Sequence, residues 1–200
     1  MDGDLLSQST IDSLKSNGYV VHLLDSSFAE NSVIYKTYYY HESARIINLR
    51  ERHVGRQLGE FTLIGFNGEN LNTNSLNGKP TMINTWSVVC RPCIVEMPFL
   101  NQLKTKYKDQ VQFVAIALED KETVSRILNK HTFEFDQYVS GEKQLNNLGV
   151  RLFPTSFFID ESGTIVEVIE GTPVPTNDTN AEENTELTDA YSEIIEKLLN

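Results

Sequence analysis

Cys90 and Cys93 are the only cysteines in this 200-residue chain, and two residues separate them. A structural disulfide framework needs several cysteines at wide spacing, and the loop this pair could close is too small to staple a fold. A structural zinc site needs four ligands. No second Cys or Cys/His pair follows, and His22, His41, His53 and His131 are scattered without ligand spacing. Thiol redox chemistry, transient metal handling or coincidence remain, and no metal site or cofactor is expected.

The setting favours redox chemistry. The pair lies in Trp86-Ser87-Val88-Val89-Cys90-Arg91-Pro92-Cys93, after an apolar β-rich stretch and at the start of a helix expected from about Cys90 to Lys106. At a helix N-terminus the unpaired N–H groups and the macrodipole favour an anion, so Cys90 is expected to ionise near neutral pH. Cys93 then lies one turn inside, less exposed and within disulfide reach. Pro92 suits the first turn, where a missing N–H costs nothing, and Arg91 adds positive charge beside the thiolate. Stabilising the thiolate stabilises the dithiol and raises the reduction potential. Glu96, three residues after Cys93, shares its helical face, and partial burial would raise its pKa into a useful range. Pro98 should kink the helix.

Elements that alternate strand and helix must position this segment. Strands are expected at Phe61–Gly65, Thr81–Thr85, Val111–Leu118 and Phe135–Val139. A hairpin joins Ser156–Ile159 to Thr164–Ile169 around Glu161-Ser162-Gly163. Helices are expected over Lys121–Lys130 and Glu142–Leu148, the latter stopped by Gly149. Residues 172–187, with two prolines and four acids, read as an exposed acidic loop. A last helix over 188–200 presents Tyr191, Ile194, Ile195 and Leu198 to the sheet. The pattern is an α/β layer fold, residues 54–200. Residues 1–53 form an N-terminal extension rich in strands: a short helix at Ser9–Asn17, then strands at Tyr19–Leu24, Val33–Tyr40 and Ala44–Leu49. No chemistry is assigned to it.

The formal net charge is −11, and from Asp160 onward eleven acids face one base, Lys197. That end would be repelled by nucleic acid and by anionic membranes, so neither is expected as a partner. No apolar run is long enough to span a bilayer, and the start lacks the layout of a secretory signal. Any membrane link would run through a tether not present in this sequence.

From about Val54 onward the chain resembles the thioredoxin superfamily, and within it the TlpA/ResA-like thiol–disulfide oxidoreductases. The resemblance rests on the opening Val54 to Leu63, on Gly68, on Leu76-Asn77-Gly78-Lys79-Pro80 and on Asn84-Thr85-Trp86. It continues in Cys90-x-x-Cys93-x-x-Glu96-x-Pro98 and in Gly149-Val150 to Phe153-Pro154-Thr155. Leu58 stands where a proline is common, and Val89 where many such sites have tryptophan.

The resemblance implies a thioredoxin-like fold in which Cys90 attacks and Cys93 resolves a mixed disulfide. Glu96 would tune or relay protons, while Asn84 takes the place of an acid found in thioredoxin itself. Pro154 would be cis, and Phe153, Pro154, Trp86, Arg91 and Pro92 would face the substrate. It further implies disulfide- or thiol-containing protein partners, a membrane electron donor and an extracytoplasmic bacterial setting. Two alternatives stay open: a copper-binding thioredoxin-fold module using soft thiolates, and a peroxiredoxin-like peroxidase suggested by the Ser87-x-x-Cys90 spacing.

Overall fold

The computed structural model describes residues 19–29, 32–41, 48–172 and 185–199, with side chains over 48–172 and 188–199. The chain divides into two compact units, Met1–Ile47 and Asn48–Asn200. In the first, β1 (Tyr19–Ala29) and β2 (Ser32–His41) form an antiparallel hairpin, with a register shift between Leu23 and Asp25. Tracts of Val, Tyr and Thr suit such strands. The helix expected at Ser9–Asn17 lies outside the described residues, as do residues 44–47 and 173–184.

The division at Ile47/Asn48 corrects the boundary expected at Val54, and the strand expected to end at Leu49 is corrected with it. Leu49 instead opens α1 (Leu49–His53), because the Asn48 side chain accepts from the Glu51 N–H at 2.7 Å and caps it. Leu49 is buried in the core of the second unit, and its N–H donates to Glu170. His53 is structural too: Nε2 lies 2.7 Å from the Leu148 carbonyl and the ring packs edge-on to Phe157.

The second unit continues through β3 (Thr62–Gly65), β4 (Leu71–Asn72), a 3-10 turn (Thr73–Leu76) and β5 (Thr81–Trp86). Then come α2 (Arg91–Tyr107), β6 (Gln112–Ala117), α3 (Lys121–Leu128), β7 (Asp136–Val139) and α4 (Glu142–Leu148). The chain closes with β8 (Thr155–Ile159), β9 (Ile165–Glu170) and α5 (Thr185–Leu198). Seven strands make one mixed sheet in the order β4-β3-β7-β6-β5-β8-β9. β5 pairs parallel with β6 and β6 with β7, while β8 and β9 run antiparallel as a hairpin. This is the thioredoxin-like α/β fold.

Every residue of β5 and of β8 is buried, as expected for central strands covered on both faces. Strand alternation sorts their side chains. Met82 and Trp86 face a cluster built with α2, α3 and α5, whereas Ile83, Val114 and Ile116 pack with α1 and α4. Asn84, between Met82 and Trp86 in this alternation, therefore points toward α2. Caps mark the helix ends. Asp120 accepts from Thr123 N–H at 2.9 Å to start α3, and Gly149 at φ 79° ends α4 in the left-handed conformation that a Cβ disfavours. α5 starts three residues before the position expected for it, with Tyr191 and Ile195 fully buried and Ile194 and Leu198 packed beside them.

Candidate active site

β5 ends at Trp86, the turn Ser87-Val88-Val89 follows, and Cys90 is the N-cap of α2. The backbone turns tightly, with Cys90 N–H donating to the Ser87 carbonyl at 3.0 Å. Cys90 Sγ accepts from the Cys93 N–H at 3.2 Å, so the sulfur occupies the anion position of a helix start. The two cysteines form a disulfide with Cα atoms 5.3 Å apart. They are not equivalent: Cys93 is 1% exposed, while Cys90 is half-buried beside the 87% exposed Val89. Arg91 is exposed at the first helical position and Pro92 half-buried at the second.

An acid lies under this pair. Glu96 is fully buried, and burial pushes its carboxyl up to about 8 from the usual 4.5. Two donors work against that shift. The Asn84 amide donates to Oε1 at 2.8 Å and the Tyr191 hydroxyl donates to Oε2 at 3.4 Å. The Asn84 amide also donates to Ser156 Oγ at 3.2 Å. Two elements besides α2, β5 and α5, thus converge on one carboxyl, and β8 reaches it only through Asn84.

On the opposite side of the strand end, the Phe153–Pro154 peptide is cis. Thr155 pairs with Thr85, so this peptide sits level with Trp86 at the sheet end from which the cysteine turn leaves. Pro154 is buried, Phe153 half-buried and Leu152 53% exposed. The Pro154 carbonyl accepts from Gly171 N–H, whereas the Phe153 N–H and carbonyl have no hydrogen-bond partner among the described residues.

Two placements depart from expectation. Trp86, expected on the substrate face, is fully buried with its ring edge-on to Phe133 at 6.2 Å. As the last residue of a central strand it points into the α2 cluster, so it supports the turn from beneath. Glu119 had no expected role, yet its carboxylate holds the turn before Cys90. It accepts from the Ser87 hydroxyl at 2.6 Å and from the Val88 N–H at 3.2 Å. An acid directly after the apolar run Val111–Leu118 was its only sequence signal. Ser87, whose spacing suggested a peroxidase site, is thereby engaged in holding the turn. Among the described residues, no group of three His, Cys, Asp or Glu side chains is placed to hold a metal.

A family model described as Redoxin matches residues 53–185, two thirds of the chain. The chain belongs to the redoxin family. This redoxin is 32% identical over 121 residues to the thiol-disulfide oxidoreductase ResA of Bacillus thuringiensis (strain Al Hakam), covering 59% of this chain and 70% of that protein. It is 27% identical over 143 residues to the thioredoxin-like protein YneN of Bacillus subtilis (strain 168), covering 70% and 80%. In fold it is similar to a putative thiol:disulfide interchange protein DsbE from Chlorobium tepidum. The TM-score is 0.61, at 24% identity over 72% of this chain and 97% of that one. With the Cys90–Cys93 disulfide in place, these relatives identify the redoxin as a thiol–disulfide oxidoreductase of the ResA/TlpA-like kind, exchanging with thiol- or disulfide-containing substrates. Among the described residues no helix is long and apolar enough to cross a membrane.

Proposed function

We propose that this redoxin works as a dithiol reductant of protein disulfides, with Cys90 attacking, Cys93 resolving and Glu96 handling the proton of Cys93. The observation that carries the reading is the asymmetry of the pair: an accessible sulfur at a helix start, and a buried one above a buried acid. The Cys90 thiolate attacks one sulfur of the target disulfide, and the target's other sulfur leaves as a thiolate. Cys93 gives its proton to the Glu96 carboxylate and attacks Cys90 Sγ, which releases the first target sulfur. The target gains two electrons and, from Glu96 and water, two protons, while Cys90–Cys93 becomes the disulfide. A carboxyl raised by burial to about 8 is a stronger base toward a thiol than an ordinary carboxylate is.

Substrate contacts fall to Phe153, Pro154, Arg91 and Pro92. The free Phe153 N–H and carbonyl suit an extended peptide, which they would bind as a strand is bound at a sheet edge. An extracytoplasmic setting fits this role, because disulfides persist where thiols are not kept reduced. The dithiol would be regenerated there by a membrane electron donor.

Trapping tests the order of attack. Reduced Cys93→Ser should accumulate a mixed disulfide through Cys90 with a disulfide-bonded protein, while reduced Cys90→Ser should trap little. Equal trapping by both variants would overturn the assignment.

A further inference from the structure

Glu96 is enclosed by residues from four elements. Its own helix supplies Cys93 one turn back, β5 supplies Asn84, β8 supplies Ser156 and α5 supplies Tyr191. Of these, Cys93 and Tyr191 titrate, and none of the four carries a fixed charge. The hydrogen bonds among them form a chain that meets at the carboxyl. One amide hydrogen of Asn84 goes to Glu96 Oε1 and the other to Ser156 Oγ. Ser156 thus holds the amide that donates to the first carboxyl oxygen. From the other side the Tyr191 hydroxyl donates to Glu96 Oε2, 3.4 Å away. The Asn84 and Tyr191 side chains both end on the carboxyl, and all four residues are buried.

We propose that Tyr191 is a positioning residue of the redox site: it fixes the second oxygen of Glu96 and sets the pH at which that acid releases its proton. The C-terminal helix is thereby part of the redox machinery. This rests on the reading of Glu96 as the proton-handling group. The direction follows from the donor. A hydroxyl that points its hydrogen at a carboxylate favours the ionised form, so deleting it leaves the buried anion less compensated. The Tyr191 ring is held separately, by packing on Phe158 at 5.9 Å and by its place in the core. Tyr191→Phe therefore removes the hydroxyl and keeps the packing.

Two readouts on the full chain test the proposal. The first is a carbon-13 NMR titration of glutamate-labelled protein, with the Glu96 carboxyl assigned by its loss in Glu96→Gln. The second is the pH profile of reaction between the reduced protein and a chromogenic aryl disulfide. Tyr191→Phe should raise the Glu96 titration, and the matching inflection in the profile, by about one pH unit, a roughly tenfold shift in ionisation. Ser156→Ala, which frees the second amide hydrogen of Asn84, should move both the same way by less, without touching α5. If Tyr191→Phe and Ser156→Ala titrate as wild type while Glu96→Gln abolishes the inflection, the proposal is overturned and the reading of Glu96 stands. If Glu96→Gln leaves the rate profile unchanged, that reading falls and the proposal with it.

Discussion

Replacing Glu96 by Gln should make the protein more stable at neutral pH and slower in exchange. In the folded state the carboxyl is held up to about 8, chiefly by burial, against a usual 4.5. Between those values the folded protein keeps a proton that the unfolded chain releases. A group raised in this way contributes its full stability below pH 4.5 and loses it as pH rises toward 8. At 1.36 kcal/mol per pH unit the loss is about 3 kcal/mol at pH 7 and about 5 kcal/mol above the folded pKa. Gln cannot ionise, yet it keeps the shape and can accept from Asn84 through its oxygen. The stability difference between Glu96→Gln and wild type should therefore widen steadily from pH 4.5 and level off above about 8. Equilibrium urea unfolding of the oxidised proteins across this range, at fixed ionic strength, measures it. A difference that stays constant with pH would refute the reasoning, because it would mean that Glu96 titrates alike in both states. Disulfide exchange at pH 7 should fall by about a hundredfold, the lower end for loss of a general acid or base.

Two further outcomes follow from the turn and the helix start. In the reduced protein Cys90 should be alkylated by iodoacetamide faster than a model thiol at pH 7, with an inflection below about 8.5, because its sulfur occupies the N-cap of α2 beside Arg91; a rate equal to the model thiol's would contradict this. Glu119→Ala removes two hydrogen bonds to the turn before Cys90 and should cost about 2 kcal/mol in urea unfolding. It should also slow attack by Cys90, and a variant with unchanged stability would show that the carboxylate does not hold the turn.

Legibility from sequence followed how local each determinant is. Cys90 at a strand-to-helix junction was readable because β5 and α2 announce themselves by periodicity and because Pro92 suits a first helical turn. The cis peptide before Pro154 came through the family resemblance, carried by the Gly149-to-Thr155 motif. Glu96 was readable as a residue on the right helical face, but the extent of its burial was not. That burial depends on Tyr191, 95 residues away, which reads simply as part of an apolar helix face. The role of Glu119 is not local in sequence for a similar reason, since its partners lie 31 and 32 residues back along the chain. At Trp86, a tryptophan near a cysteine pair suggests a docking surface. The alternation of β5 sends it inward instead, on the same side as Met82 and Asn84. At Leu49 an apolar tract favoured a strand until the Asn48 cap is counted.

The pairing of Asn84 with Glu96 explains how this site manages with one buried acid. A second carboxyl in place of the Asn84 amide would meet Glu96 at hydrogen-bond distance, and two such groups cannot both ionise without solvent. The amide instead has two hydrogens and no charge. It supports Glu96 as an anion while leaving burial as the dominant influence, so the carboxyl stays near the middle of the thiol range. The two sulfurs are served by different means. Cys90, within reach of solvent, needs only the helix start to carry negative charge. Cys93, shut away from water, would need in the proposed mechanism a group that takes its proton as it attacks. An acid one turn beyond the buried cysteine on the same helix would, on that proposal, tie the proton to the sulfur that needs it. The spacing Cys93-x-x-Glu96 is the shortest that puts both on one face.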